Sequence, residues 1–190
     1  PMSLAQVLFL LLAAPSPAEF FGFRPGDDRV LADWNETVRY FEALDAASDR
    51  VQVDEVGKTT QGRPFLRVTI TSAENFARLE AIRRDNLRLY DPRGLEDAEA
   101  EAILARGKAV VALNHGIHST EVAASQTAME TAHWLATAQD PDTLAILRDS
   151  VILMLPSHNP DGMQTVTEWY RETLGTPFEG EGPPFLYQHY

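Results

Sequence analysis

The sequence contains no cysteine, which excludes both a disulfide framework and a thiolate metal site. Basic residues are scarce, with 16 Lys and Arg against 28 Asp and Glu, a net charge of −12. A surface of that sign argues against non-specific nucleic-acid binding and favours solubility, without identifying a substrate. There is no internal repeat and no low-complexity linker. No apolar run reaches the roughly 20 residues that a bilayer-spanning helix needs. What remains is a 190-residue chain, 44% hydrophobic and 23% charged, the composition of a folded globular protein. That length fits one ordinary domain or part of a larger one.

The first eighteen residues carry the one concentrated apolar stretch. Leu4 to Ala14 centres on Val7-Leu8-Phe9-Leu10-Leu11-Leu12 and is followed by the small residues and prolines Ala13 to Ala18. This is the pattern of a signal-peptide core and its cleavage zone. No Lys or Arg precedes it, and the chain opens on Pro1. Either the start is clipped or the stretch is a buried N-terminal helix. Export to a secreted or periplasmic location is the reading adopted, with residues 1–18 as leader, residues 19–190 as domain, and no stable membrane insertion once the leader is removed.

Aromatics punctuated by Gly and Pro, from Glu19 to Arg29, suggest an irregular docked arm. Leu31, Trp34, Val38 and Phe41 recur at helical spacing and predict an amphipathic helix ending near Ser48. Val51–Val56 and Phe65–Thr71 alternate apolar with polar around Thr60-Gln61-Gly62-Arg63, which predicts a hairpin. Helices are expected from Phe76 to before Pro92, over Glu96 to Arg106, over about Thr120 to Thr137, and after the Asp140-Pro141 cap. Ala109–Leu113 and Val151–Leu155 are continuous apolar runs, expected as buried strands. The order of elements predicts an α/β fold whose mixed, largely parallel sheet is covered by helices on both faces, with an antiparallel edge.

Ligands in such a sheet gather beyond the carboxyl ends of the parallel strands. Both apolar strands lead there into polar loops, His115 to Glu121 and Ser157-His158-Asn159-Pro160-Asp161-Gly162. His118 and Glu121 stand three residues apart between a strand and a helix rich in small residues. A neutral imidazole and a carboxylate are the donors that a catalytic zinc takes, with one position left open for water. Ser119 or Thr120 is expected to cap the helix and so fix where its first turn begins. His115 is a second candidate ligand, but it sits nearer the strand end, where a structural use fits better. The bland reading of the pair is a loop histidine beside a helix-start glutamate that favours the macrodipole.

Gly116-Ile117-His118-Ser119-Thr120-Glu121, followed by Pro156-Ser157-His158-Asn159-Pro160-Asp161-Gly162, resembles the zinc carboxypeptidases of the carboxypeptidase A/B type, over roughly Thr59 to the C-terminus. The resemblance implies Zn²⁺ as cofactor, a peptide or protein substrate, and His118 and Glu121 as the first two of three zinc ligands. It also implies an arginine after the Asn-Pro-Asp-Gly loop that polarises the scissile carbonyl, for which Arg171 is the nearest match. Use of Arg171 as a salt-bridge partner is equally open. The third ligand, the general base and the substrate-gripping Asn-Arg pair of that family find no match before residue 190; His189 lacks a strand context. The chain is therefore expected to be the N-terminal part of a longer exported metallopeptidase. A zinc-dependent deacylase of acyl-amino acids, or a non-catalytic binding domain on the same fold, is the alternative. Asn159-Pro160-Asp161-Gly162 reads first as a tight turn, His158 as a hydrogen-bonded loop residue or a substrate contact, and His133 as an ordinary packing or surface residue of the helix.

Overall fold

The structure is a computed structural model and describes residues 14–182. The apolar core of the expected leader therefore lies outside the described residues, as does His189. The end of that expected leader is docked. Ser16 forms a capping box with Glu19 at the start of α1 (Pro17–Phe21), and the hydroxyl of Tyr40 donates to the carbonyl of Pro15 at 3.3 Å. Phe20 and Phe21 pack against Tyr40, and Phe23 stacks on Phe21, so the arm is anchored as expected, though its first part is a short helix. The Ser-x-x-Glu spacing that signals such a start was present in the sequence.

α2 (Trp34–Ala47) follows, started by a second capping box between Asp33 and Glu36. Its buried stripe of Trp34, Thr37, Tyr40, Phe41 and Leu44 has the three- and four-residue spacing of a core-facing helix. β1 (Val51–Lys58) and β2 (Pro64–Ile70) form the hairpin, antiparallel, with an irregularity between Glu55 and Gly57. The short α3 (Ala73–Phe76), α4 (Leu79–Tyr90) and α5 (Asp97–Arg106) lead to β3 (Ala109–Asn114). α6 (Ala123–Thr137), α7 (Pro141–Asp149), β4 (Ser150–Leu155) and α8 (Pro160–Thr173) complete the order. The cap on α7 is the expected one, Asp140 accepting from the Thr143 N–H with Pro141 in the first turn.

The four strands run in the order β1-β2-β4-β3. β4 pairs antiparallel with β2 and parallel with β3, so the fold is the mixed α/β architecture read from the sequence, although among the described strands only the β3–β4 pairing is parallel and the sheet is not largely parallel. Leu66, Val68 and Ile70 of β2 and Ile152 and Met154 of β4 point alternately to one face and meet Trp34, Phe41, Met129, Ala132 and Met163. Full burial of each large apolar side chain is worth about 1.5–3 kcal/mol, which makes this face of the sheet the main core.

The two apolar runs are not equivalent. β4 is buried along most of its length, whereas β3 is the outer strand and is exposed at Ala109, Val110, Val111 and Ala112. An apolar sequence identified a strand in both cases. It did not separate a strand flanked on both sides from one with a bare edge.

Candidate metal centre

β3 and β4 run parallel and end together, Asn114 opposite Leu155. The pairing then continues into the loops. The His115 N–H donates to the Leu155 carbonyl, the His158 N–H to the His115 carbonyl at 2.8 Å, and the Asn159 N–H to the Gly116 carbonyl at 3.1 Å. The Asn159 side-chain amide reaches the Ile117 carbonyl at 3.4 Å. Two loops that are about forty residues apart in the chain thus form one platform beyond the strand ends, where an α/β sheet places its ligands.

Gly116 makes the first bend of this platform. Its φ is +58°, and a β-carbon there would collide with Ser125 Oγ and stand 3.2 Å from Ser157 Oγ. Only glycine fits both the left-handed backbone and the close approach of α6. The chain then turns at His118, whose carbonyl accepts from the Glu121 N–H at 3.1 Å. That turn brings the two side chains together, His118 Nδ1 lying 3.1 Å from Glu121 Oε1, both partly open to solvent.

This separation bears on whether the pair suits a metal. Two donors on one tetrahedral zinc, at bonds of about 2.0–2.2 Å, stand about 3.3–3.6 Å apart. The observed 3.1 Å is close to that, and the donor types are those zinc takes, so the residues fit. Among the described residues no group of three His, Asp or Glu is placed to hold a metal ion.

Glu121 sits in the turn before α6, not within it, and the helix start at Val122 carries no side-chain cap. The expected capping by Ser119 or Thr120 is therefore not what sets the helix; Ser119 is buried instead. His115 is positioned by its backbone in the ladder. Burial holds its imidazole below the ordinary histidine range, outweighing a hydrogen bond with the Ala124 backbone, and its Nε2 is buried without a hydrogen-bond partner. It is His118, not His115, that meets Glu121.

The second loop is more than a turn. Asn159 caps α8, its Oδ1 accepting from the Gly162 N–H at 2.9 Å, with Pro160 in the first turn. Asp161, also in that turn, is buried and accepts from the Thr59 hydroxyl at 2.7 Å, the Arg63 guanidinium at 2.8 Å and the Gln61 N–H at 3.1 Å. Burial alone would raise its pKa, but these three donors prevail and hold the carboxyl below the ordinary aspartate range. His158 is exposed, with its ring edge-on to Phe65.

Arg171 lies near the far end of α8, and its guanidinium is engaged there. It donates to Asp33 at 2.8 Å, Glu36 at 2.6 Å and the Leu31 carbonyl at 2.7 Å, gripping the capping box of α2. These contacts match the salt-bridge reading of Arg171. A groove of about 780 Å³, lined among others by Val30, Leu31, Thr120, Val122 and Trp169, runs beside the loop of Glu121.

The zinc carboxypeptidase family model matches residues 37–177, most of the chain and both loops of the platform. The chain belongs to the zinc carboxypeptidase family. Two solved carboxypeptidase-fold structures show the shared architecture. Thrombin-activatable fibrinolysis inhibitor superposes with a TM-score of 0.55 at 12% identity, over 82% of this chain and 30% of its own. Carboxypeptidase A from Helicoverpa armigera gives 0.51 at 20% identity, over 90% of this chain and 33% of its own. The zinc carboxypeptidase region described here thus spans about a third of the length of these structures. No curated protein matches the chain.

Proposed function

We propose that this chain supplies two ligands, His118 and Glu121, to the zinc ion of a metallopeptidase of carboxypeptidase type. The observation that carries the reading is the 3.1 Å approach of His118 Nδ1 to Glu121 Oε1 at the carboxyl end of the parallel strand pair. Family membership supports zinc and peptide-bond hydrolysis. When bound, zinc polarises a carbonyl and lowers the pKa of its water towards about 7.

The chain's own residues hold and orient the donors. Gly116 bends the loop, the Glu121-to-His118 backbone bond sets the spacing, and the Asn159 contacts fix the loop's height above the sheet. With its three acceptors on the α2 side, Arg171 serves here as a structural anchor and is left out of the reacting centre. Export follows from the apolar stretch Leu4 to Ala14 and belongs to the same proposal. No helix among the described residues is long and apolar enough to cross a membrane.

Metal analysis of the protein carrying this chain tests the reading. Stoichiometric zinc is expected, lost in His118→Ala and in Glu121→Ala. Zinc retained in both variants would refute the ligand assignment. Hydrolysis of peptides with free but not blocked C-termini would then mark a carboxypeptidase; cleavage of blocked peptides or of acyl-amino acids would mark an endopeptidase or a deacylase.

A further inference from the structure

We infer that Asp161 is a positioning residue, which fixes the loop bearing His118 by locking the start of α8 to the turn of the β1–β2 hairpin. The inference rests on the metal reading above.

A carboxylate in the first turn of a helix gains from the macrodipole while remaining in water. Asp161 instead has a side chain only 8% exposed, with both oxygens committed to one distant turn. Withdrawing a charge from water is costly unless its partners are well placed, so the geometry of those partners dictates where the carboxylate sits. The turn is built to present them. The Thr59 N–H donates to the Arg63 carbonyl, the Arg63 N–H to Thr59 Oγ1, and the Gly62 N–H, on a residue with φ +80°, to the Thr59 carbonyl. Arg63 also donates to Gln61 Oε1, which restrains its guanidinium.

Two residues before Asp161 stands Asn159, which bonds the Gly116 and Ile117 carbonyls. The connection is therefore continuous from the hairpin turn through Asp161 and the first turn of α8 to Ile117, the neighbour of His118. A shift of the α8 start would act on the pair by releasing Asn159 from the metal loop. The hairpin turn thereby becomes a part of the site at a distance of one structural layer.

The test compares Asp161→Asn with Asn75→Ala, a buried polar residue that donates to the Leu147 and Arg148 carbonyls just before the opposite end of β4. Both variants are expected to lower the melting temperature. Only Asp161→Asn should weaken zinc binding, by about 10-fold or more, as loss of an outer support of a ligand commonly does. In metal-free protein it should also speed amide exchange at His158 and Asn159, whose N–H groups hold the two loops together, while Asn75→Ala leaves both amides unaffected. With Asp161 in place, Arg63→Lys keeps a charge partner for Oδ1 and should retain most of the affinity, whereas Arg63→Met should not. Equal zinc loss in Asp161→Asn and Asn75→Ala, or unchanged zinc binding and exchange in Asp161→Asn, would overturn the inference. If the wild-type protein takes up no zinc, the ligand assignment fails and exchange alone decides. Faster exchange confined to Asp161→Asn then upholds the positioning role, and equal exchange in the two variants overturns it.

Discussion

Gly116 is the position at which a single atom has the most effect. Its backbone lies in the left-handed region, and the space its missing β-carbon would take is held by the hydroxyls of Ser125 and Ser157. An alanine would meet both costs at once, conformational strain and overpacking, for a total of about 2–5 kcal/mol. Because Ser125 sits at the start of α6 and Ser157 in the second loop, relief of the clash must push one of them away from the loop that bears His118. Gly116→Ala is therefore expected to lower the melting temperature by several degrees and to weaken zinc binding together, measured by calorimetry and by chelator competition. A variant with wild-type zinc affinity would show that the bend does not position His118. Replacing Ser125 with Gly in the same background removes the nearest obstacle and should restore part of the stability.

At the scale of elements, α8 joins three parts of the fold: its first turn holds the loop platform beyond the strand ends and the hairpin, and Arg171 near its end holds the start of α2. The Arg171 guanidinium meets two carboxylates that already form a capping box, so it neutralises charges gathered to start a helix. Exposed ion pairs contribute little, but the side chain of Asp33 is only 11% exposed, and three acceptors share one cation. Arg171→Ala should cost about 1–2 kcal/mol and leave zinc affinity unchanged. A large loss of catalytic rate at unchanged stability would instead return Arg171 to the reacting centre. This residue also shows what the sequence could and could not disclose. Periodicity located α2 and the hairpin, the Asp140-Pro141 cap located α7, and continuous apolar runs located β3 and β4, because each signal is local. The His-x-x-Glu spacing located the His118–Glu121 contact for the same reason. The partners of Arg171 lie 135 and 138 residues away, and the donors to Asp161 about 100 away, and such pairings leave no periodic trace. Asn-Pro-Asp-Gly reads from the sequence as a tight turn, and its role as the start of α8, with its cap and hairpin contacts, appears only when the chain is folded.

The whole molecule presents two sheet edges of different character. β1 carries Gln52, Asp54, Glu55 and Lys58 and an irregular step in its pairing, features that discourage a further strand from adding. The opposite edge is Ala109-Val110-Val111-Ala112-Leu113, without a charge between Lys108 and His115, and most of it is exposed. Among the described residues no strand pairs with this edge, so it offers a line of backbone donors and acceptors flanked by side chains of high strand propensity. The net charge of −12 opposes self-association, but this repulsion is long-range and is screened beyond about 10 Å at 0.1 M salt, while backbone pairing is not. The 190-residue chain expressed alone should therefore associate more as salt is raised, seen by light scattering, with a gain in intermolecular strand signal in the infrared amide band. Val111→Lys places a charge in the middle of the bare edge at an already exposed position and should suppress that association without lowering the melting temperature. The equivalent charge on β1, Gln52→Lys, should have no such effect. Association that falls with salt, or that responds equally to both substitutions, would show that the contact is made elsewhere on the surface.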